Sequence, residues 1–228
     1  VVSQGVSTVY AAGPHAVLVE IEGVIQPDTA RFLARAIDKA SEDRARLLII
    51  ILDTPGGLLD STRDMVASML ASTIPIVVYV SPQGARAASA GTFITAAAHI
   101  AAMAPISNIG AATPVGAGGD LPDTLESKGK QDVAALLRSI AEKRGRNAAA
   151  LEATVMEAIA YSASEALENG IIDVIAPDLD SLLTQLHGTI VQLEGGEVVL
   201  ETEGLEVIRI ERTILEGILG FLSNSTVV

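Results

Sequence analysis

The chain has no cysteine and no tryptophan, and its 228 residues include only three histidines, three tyrosines and three phenylalanines. Without cysteine there are no disulfides, no thiolate metal sites and no thiol nucleophile. His15, His99 and His187 are scattered, so a multi-histidine metal centre is not expected. Aromatics at 3% leave little for base stacking, and the core must be built from Ala, Val, Ile and Leu. Basic residues are also scarce, 15 against 28 acidic ones, for a net charge of −13. Nucleic acid is therefore a poor partner. The imbalance is local: residues 1–149 carry 14 acids and 13 bases, residues 150–228 carry 14 acids and two bases, Arg209 and Arg212.

A strongly apolar run of the length that crosses a bilayer, ~20 residues, is also missing. From Ala87 to Gly119 there are 33 residues without a formal charge, but Ser89, Gly91, His99, Pro105, Ser107 and Asn108 interrupt them. That stretch reads as buried protein interior. No signal-peptide pattern follows Val1, and Phe221–Val228 turns apolar, as expected of a chain that stops just before a membrane span.

Nearly half the chain, 49%, is apolar, enough for a sizeable core. Ala16–Glu22 reads as a strand, and Asp28 as the N-cap of a helix whose apolar face is Phe32, Leu33, Ala36 and Ile37. Leu47–Leu52 is a continuous aliphatic run, as in a strand buried on both faces. A helix over about Leu58–Ser72, a strand Ile76–Val80 and another at His99–Ala104 continue a βαβα alternation. That alternation implies a mostly parallel sheet flanked by helices. Thr113–Ser127, with three glycines and two prolines, reads as a mobile loop before a helix near Lys130–Arg144. Asn147 is placed to cap the next helix, Ser162–Glu165 has capping-box spacing, and Asn169-Gly170 closes the helix after it. Ile171–Ile175 returns as a strand, and residues 189–212 alternate as in a small antiparallel β appendage. The expected division is 1–188 for the main domain and 189–228 for the appendage and a following helix.

Three pieces carry candidate chemistry. Asp53-Thr54-Pro55-Gly56-Gly57 ends a buried strand, where ligands bind in parallel sheets. Its glycines allow backbone N–H groups to approach a ligand; an ordinary tight turn is the alternative. Ala88-Ser89-Ala90-Gly91 sets a serine among small residues at a loop-to-helix junction, where N–H groups favour developing negative charge. A plain N-cap serine is the alternative. Lys128 and Lys130 are two of only four lysines and sit where the loop enters a helix. A lysine desolvated by apolar surroundings can lose its proton and act as a base for serine; a solvated helix start is the alternative.

In this order the pieces resemble the Clp protease/crotonase superfamily. Closer still is the NfeD-type family of membrane-bound serine proteases, the genomic partners of stomatin. Arg86–Thr92, Met103-Ala104-Pro105, Asn108–Ala111, Arg144–Asn147 and Ala166–Asp173 follow that family's pattern, and the likeness runs over about residues 15–225. The resemblance implies a Clp-like α/β fold and an ATP-independent serine endopeptidase. Ser89 matches its nucleophile, with Gly57 and Ala90 as oxyanion donors and Gly56 as the alternative to Gly57. The segment Ile109–Pro114, where Clp proteases carry a catalytic histidine, has none here. The family uses a lysine four residues before an acid that opens the next helix. Asp132 then selects Lys128, with Lys130 in reserve. Leu58 and Leu59, with Gly56, are expected to bind substrate. No metal, nucleotide or cofactor is implied. The implied setting is an extracytoplasmic domain tethered to a membrane, forming a homodimer, with an apolar segment of a stomatin-type partner as substrate.

Two other readings compete. One is a non-catalytic scaffold of the same fold that binds a partner's tail by strand addition. The other is an acyl-CoA enzyme of crotonase type, which needs a placed acid near the glycine turn; only Asp53, Asp60 and Asp64 are close in sequence. His99 reads as a satisfied histidine at a strand edge, and Asp53 and Asp60 as possible scaffold groups.

Overall fold

A computed structural model describes residues 13–114 and 123–212. Five parallel pairings join six strands in the order β11-β1-β2-β3-β5-β8. They are β1 (His15–Glu22), β2 (Leu47–Asp53), β3 (Ile76–Val80), β5 (Ile100–Met103), β8 (Val174–Ile175) and β11 (Glu206–Arg209). The helices α1 (Pro27–Glu42), α2 (Leu59–Leu70) and α3 (Ala90–Ala97) return the chain between strands. After them come α4 (Asp123–Arg144), α5 (Ala148–Met156), α6 (Ala163–Glu168) and α7 (Leu179–Leu186). A second small sheet runs β4 (Arg86–Ala87), β6 (Asn108–Gly110), β7 (Ala160–Ser162), and β9 (Ile190–Leu193) with β10 (Gly196–Val199) forms an antiparallel hairpin.

Strand alternation divides the core. Val17, Val19, Leu48, Ile50, Leu52, Val78 and Val80 face α1 to α4. Ala16, Leu18, Leu47, Ile49, Val77 and Tyr79 face α7 and the hairpin. Both faces of β2 are therefore covered, which is why its sequence is aliphatic without alternation. Each fully buried side chain of this kind contributes roughly 1.5–3 kcal/mol.

The expected β appendage is present as the β9–β10 hairpin, but the alternating segment does not stay together. Glu206–Arg209 leaves it and lies parallel to β1 at the sheet edge, with Arg209 donating to Glu20 at 2.6 Å. Helix α1 is capped at Gln26, not Asp28; Pro27 takes the first helical position, where its missing N–H costs nothing. Asp28 is instead buried and receives Arg212 at 3.4 Å. Helix α7 has no counterpart in the sequence reading, although Asp178 caps it and Leu179, Leu182, Leu183 and Leu186 recur with helical spacing. The Asn147 cap and the Ser162/Glu165 capping box stand as read.

The motif residues Arg146 and Asp173 turn out to be scaffold. The nearly buried Arg146 guanidinium donates to the carbonyls of Ala96, Ala98 and Ile171 and to Asp173 at 2.9 Å. Asp173 also accepts from Ala101 N–H at 2.7 Å. This tie closes the C-terminal end of α3, the helix that follows Ser89.

A candidate serine active site

Ser89 ends the turn after β4 and is the N-cap of α3, with φ +50° and ψ −112°. Such a backbone is costly for a residue with a Cβ and persists only where its surroundings hold it. Here they do. Ser89 N–H donates to Ala111 O at 2.8 Å, and Ala88 N–H to Thr54 O at 3.1 Å. Thr92 Oγ1 donates to Ala87 O at 3.0 Å from one turn into the helix. Gly91 is required in this packing: a Cβ there would lie 2.7 Å from Thr54 Cγ2. Ser89 is half-buried, and its Oγ makes no hydrogen bond among the described residues. The turn thus aims an unbonded hydroxyl outward at the positive end of α3.

The glycine turn after β2 meets this hydroxyl. Gly56 has φ +120°, and a Cβ on it would fall 2.6 Å from Ser89 Cβ. Gly57 forms a parallel bridge with Ile25, where a Cβ would lie 2.1 Å from Ile25 O. The N–H groups sort themselves by use. Gly56 N–H donates to Thr54 Oγ1 at 3.0 Å and Leu58 N–H to Ile25 O at 2.9 Å. On the serine side, Ser89 N–H goes to Ala111 and Gly91 N–H to Ala88 O at 2.9 Å. Among the described residues the N–H groups of Gly57 and Ala90 donate to nothing. Of the two glycines left open by the sequence, Gly57 has the available donor.

A cavity of about 180 Å³ opens beside Ser89, lined by Gly57, Leu58, Leu59, Thr62, Ala90, Phe93, Ala112, Pro114 and Val133. Among the described residues no formally charged side chain lines it. Leu58 and Leu59 stay 55% and 39% exposed at its rim, unusually open for leucines. A larger cavity, about 530 Å³, lies between α7 and the 202–205 turn and shares none of the described residues of this site.

Lysines 128 and 130 are placed differently from the expectation. Helix α4 begins at Asp123, so both lie inside it rather than at its entrance; residues 123–127 of the expected loop are helical, and its residues 115–122 lie outside the described ones. Apart from Gly129, nothing in Asp123–Gln131 opposes a helix, and one internal glycine costs only ~1 kcal/mol. Asp132 does not open the helix. It pairs with Arg63 of α2 at 2.5 Å, tying α4 to α2 across the site, while Val133 beside it lines the cavity. Lys128 is exposed and forms no ion pair or hydrogen bond among the described residues. Val133 lies five positions further on, about 7.5 Å along the helix.

Asp53 and His99 are structural. Asp53 accepts from Arg86 N–H at 3.0 Å and so helps hold the serine turn. His99 Nδ1 accepts from Ile76 N–H at 3.1 Å, and burial, then Arg144 and Arg146, lower its pKa to about 4. Sequence reasoning missed Thr54 and Ala111, which fix the two turns. Thr54 was legible as part of a motif, whereas Ala111 acts through its backbone and leaves no side-chain signal.

Known proteins share this architecture. The membrane-bound protease PH1510 of Pyrococcus horikoshii is 34% identical over 212 residues, covering 91% of this chain. The membrane protein NfeD1b of Bacillus subtilis is 35% identical over 106 residues, covering 46% of this chain. The chain spans 48% and 24% of the lengths of these two relatives. Among solved structures, a lysine-to-alanine mutant of the 1510-N membrane-bound stomatin-specific protease in complex with a substrate peptide superposes with TM-score 0.86 at 31% identity. It covers 94% of this chain and all of that one. A serine-to-alanine mutant of the same protease gives 0.81 at 33% identity, over 89% of this chain and all of that one. Residues 15–188, which hold the serine turn, the glycine turn and α4, match the family described as the N-terminal domain of NfeD1b, and to that family the chain belongs.

Proposed function

We propose that this chain is the proteolytic domain of a membrane-bound serine endopeptidase, with Ser89 as nucleophile and Lys128 as general base. The observation that carries the reading is the unbonded Ser89 hydroxyl at φ +50°, flanked by the unused N–H groups of Gly57 and Ala90 and opening on an apolar cavity. Ser89 Oγ attacks the scissile carbonyl and Lys128 Nζ takes its proton. The carbonyl oxygen, now negative, is held by the two N–H groups, donors fixed before the reaction begins. The proton then passes to the leaving amine, and water releases the acyl group by the same route.

The base is supplied on substrate binding. Lys128 is exposed in the free chain, and an apolar peptide lying over Leu58 and Leu59 against α4 covers it, removing the water that favours its charge. The open leucine rim also suits strand-like contact with an extended substrate, with Gly56 leaving room for its backbone. The name of the similar stomatin-specific protease supports a stomatin-type protein as substrate, and the apolar cavity lining supports an apolar segment of it. We place the domain on the extracytoplasmic side, tethered by a membrane region beyond it, as a homodimer. Residues 1–188 form the protease unit; beyond it the β9–β10 hairpin is the appendage, while Glu206–Arg209 returns to the main sheet beside β1.

A fluorophosphonate probe, which reacts with activated serines, tests the assignment together with cleavage of an apolar peptide. Both are expected in the natural chain and absent in Ser89→Ala. A folded chain that binds the peptide but neither labels nor cleaves is the outcome that favours a binding scaffold instead.

A further inference from the structure

The unused Gly57 N–H is only useful if it points at the reacting carbonyl, and two consecutive glycines are the residues least able to hold a peptide plane by themselves. That plane contains Gly56 C=O at one end and Gly57 N–H at the other, pointing in opposite directions. Whatever holds the carbonyl therefore aims the N–H. One group donates to it, Ile25 N–H at 2.8 Å; Thr54 Oγ1 lies 3.2 Å from the same oxygen, but its single proton goes to the closer Gly23 O.

Thr54 does more. Its side chain is fully buried, and its hydroxyl donates to Gly23 O at 2.7 Å while accepting Gly56 N–H at 3.0 Å. That acceptance occupies the neighbouring N–H and fixes the plane before Gly56 as well. On the main chain, Thr54 N–H donates to Arg86 O at 2.8 Å and Thr54 O accepts from Ala88 N–H, so the same residue carries the serine turn. Its methyl packs against Gly91. One threonine thus ties the oxyanion donor to the nucleophile.

We infer that the Thr54 hydroxyl is a positioning group for catalysis: it fixes Gly56 through its N–H and, through Gly23 O, the segment whose Ile25 N–H holds Gly56 O, so that Gly57 N–H faces the oxyanion. This rests on the protease reading above for its catalytic part; the lock itself does not. Thr54→Val keeps the shape and removes the hydroxyl, leaving Gly56 N–H and Gly23 O without their partner. Thr54→Ser keeps the hydroxyl and removes the methyl.

The experiment compares natural chain, Thr54→Val and Thr54→Ser by amide exchange at Gly56 in the free protein and by kcat and KM on an apolar peptide. Thermal melting confirms that each is folded. In Thr54→Val, Gly56 exchange should speed up and kcat should drop by about 10- to 100-fold, less than the ~10²–10³ for losing an oxyanion donor outright. KM should stay within about threefold, because the substrate's ground state does not use this bond. Thr54→Ser should restore both readouts. Unchanged Gly56 exchange in folded Thr54→Val overturns the lock. Faster exchange with unchanged kcat overturns its catalytic role. Equal losses in Thr54→Ser assign the effect to the methyl and overturn the hydroxyl's part. A natural chain that exchanges as described but cleaves no peptide defeats the protease reading and leaves the lock standing.

Discussion

Gly56 and Ser89 touch so closely that no side chain fits between them. A Cβ at position 56 would lie 2.6 Å from Ser89 Cβ and 3.1 Å from Ser89 Oγ, on a backbone already at φ +120°. The contact joins the ends of two different sheet segments, one following β2 and one following β4. It makes the distance between glycine turn and nucleophile a fixed property of the fold.

Gly56→Ala therefore acts on chemistry more than on folding. Strain at this φ costs on the order of 1–3 kcal/mol, a loss a domain of this size can absorb and one that a melting curve will register. The added methyl displaces the Ser89 side chain itself. Peptide cleavage should fall by at least about 100-fold, as for a misplaced reacting group, while the variant remains folded by circular dichroism. Cleavage at near-natural rates would mean that the turn yields and that the contact is not functional.

Substrate preference follows from the cavity wall. Leu58, Leu59, Phe93, Ala112 and Val133 supply aliphatic and aromatic surface, and the buried Thr62 hydroxyl is already committed to Leu58 O at 2.9 Å. A side chain of leucine size should be favoured at the cut. Each methylene lost from it should cost roughly 10-fold or more in kcat/KM. A peptide library in which charged residues are cleaved as well as leucine would contradict this wall.

His99 offers a test by pH. Burial first, then Arg144 and Arg146, lower its pKa to about 4 from an ordinary 6.5. Lys143 and Glu194 also border the small cavity that His99 faces. In the unfolded chain the ring accepts a proton below about pH 6.5, while the folded chain refuses it until about pH 4. The folded state should lose stability as pH falls through that window and be unaffected by this group above it. His99→Gln, which can still accept Ile76 N–H through its amide oxygen, should remove that part of the slope in urea midpoints measured from pH 8 to pH 4. Its peptide cleavage at pH 7.5 should be unchanged, since the ring is occupied with the backbone of β3.

Much of this was legible in the sequence, for identifiable reasons. Strands such as Leu47–Asp53 announce themselves because burial on both faces demands unbroken aliphatics. The Ser162/Glu165 box and Asn147 cap are local hydrogen bonds between near neighbours. The departures involve long-range partners. Asp28 reads as an N-cap until Arg212, 184 residues away, is seen to claim it. Glu206–Arg209 reads as part of a hairpin because alternation does not reveal which strand it pairs with. At the site, the serine and glycines show in the pattern of small residues. The choice of Gly57 over Gly56 does not, because it depends on which N–H is already used.

The base is the most exposed part of the mechanism, and α4 makes its test sharper. Lys128 and Lys130 lie two residues apart on one continuous helix, so their side chains leave it about 200° apart. Only one can face a given substrate, and the outcome of substituting them should be lopsided. Lys128→Ala should abolish cleavage yet still bind peptide, since the lysine moves a proton and does not hold the substrate. Lys128→Arg should be equally inactive, because guanidinium keeps its proton. Lys130→Ala should retain cleavage within a few-fold. Asp132→Asn releases Arg63 from α4 and should lower cleavage without abolishing it, because the helix is then less firmly held over the cavity. Steady-state cleavage of an apolar peptide across these variants, with binding followed by fluorescence anisotropy, separates the possibilities. If Lys130→Ala is inactive and Lys128→Ala active, the base is Lys130. If both variants cleave normally, no lysine of α4 is the base and the dyad is wrong.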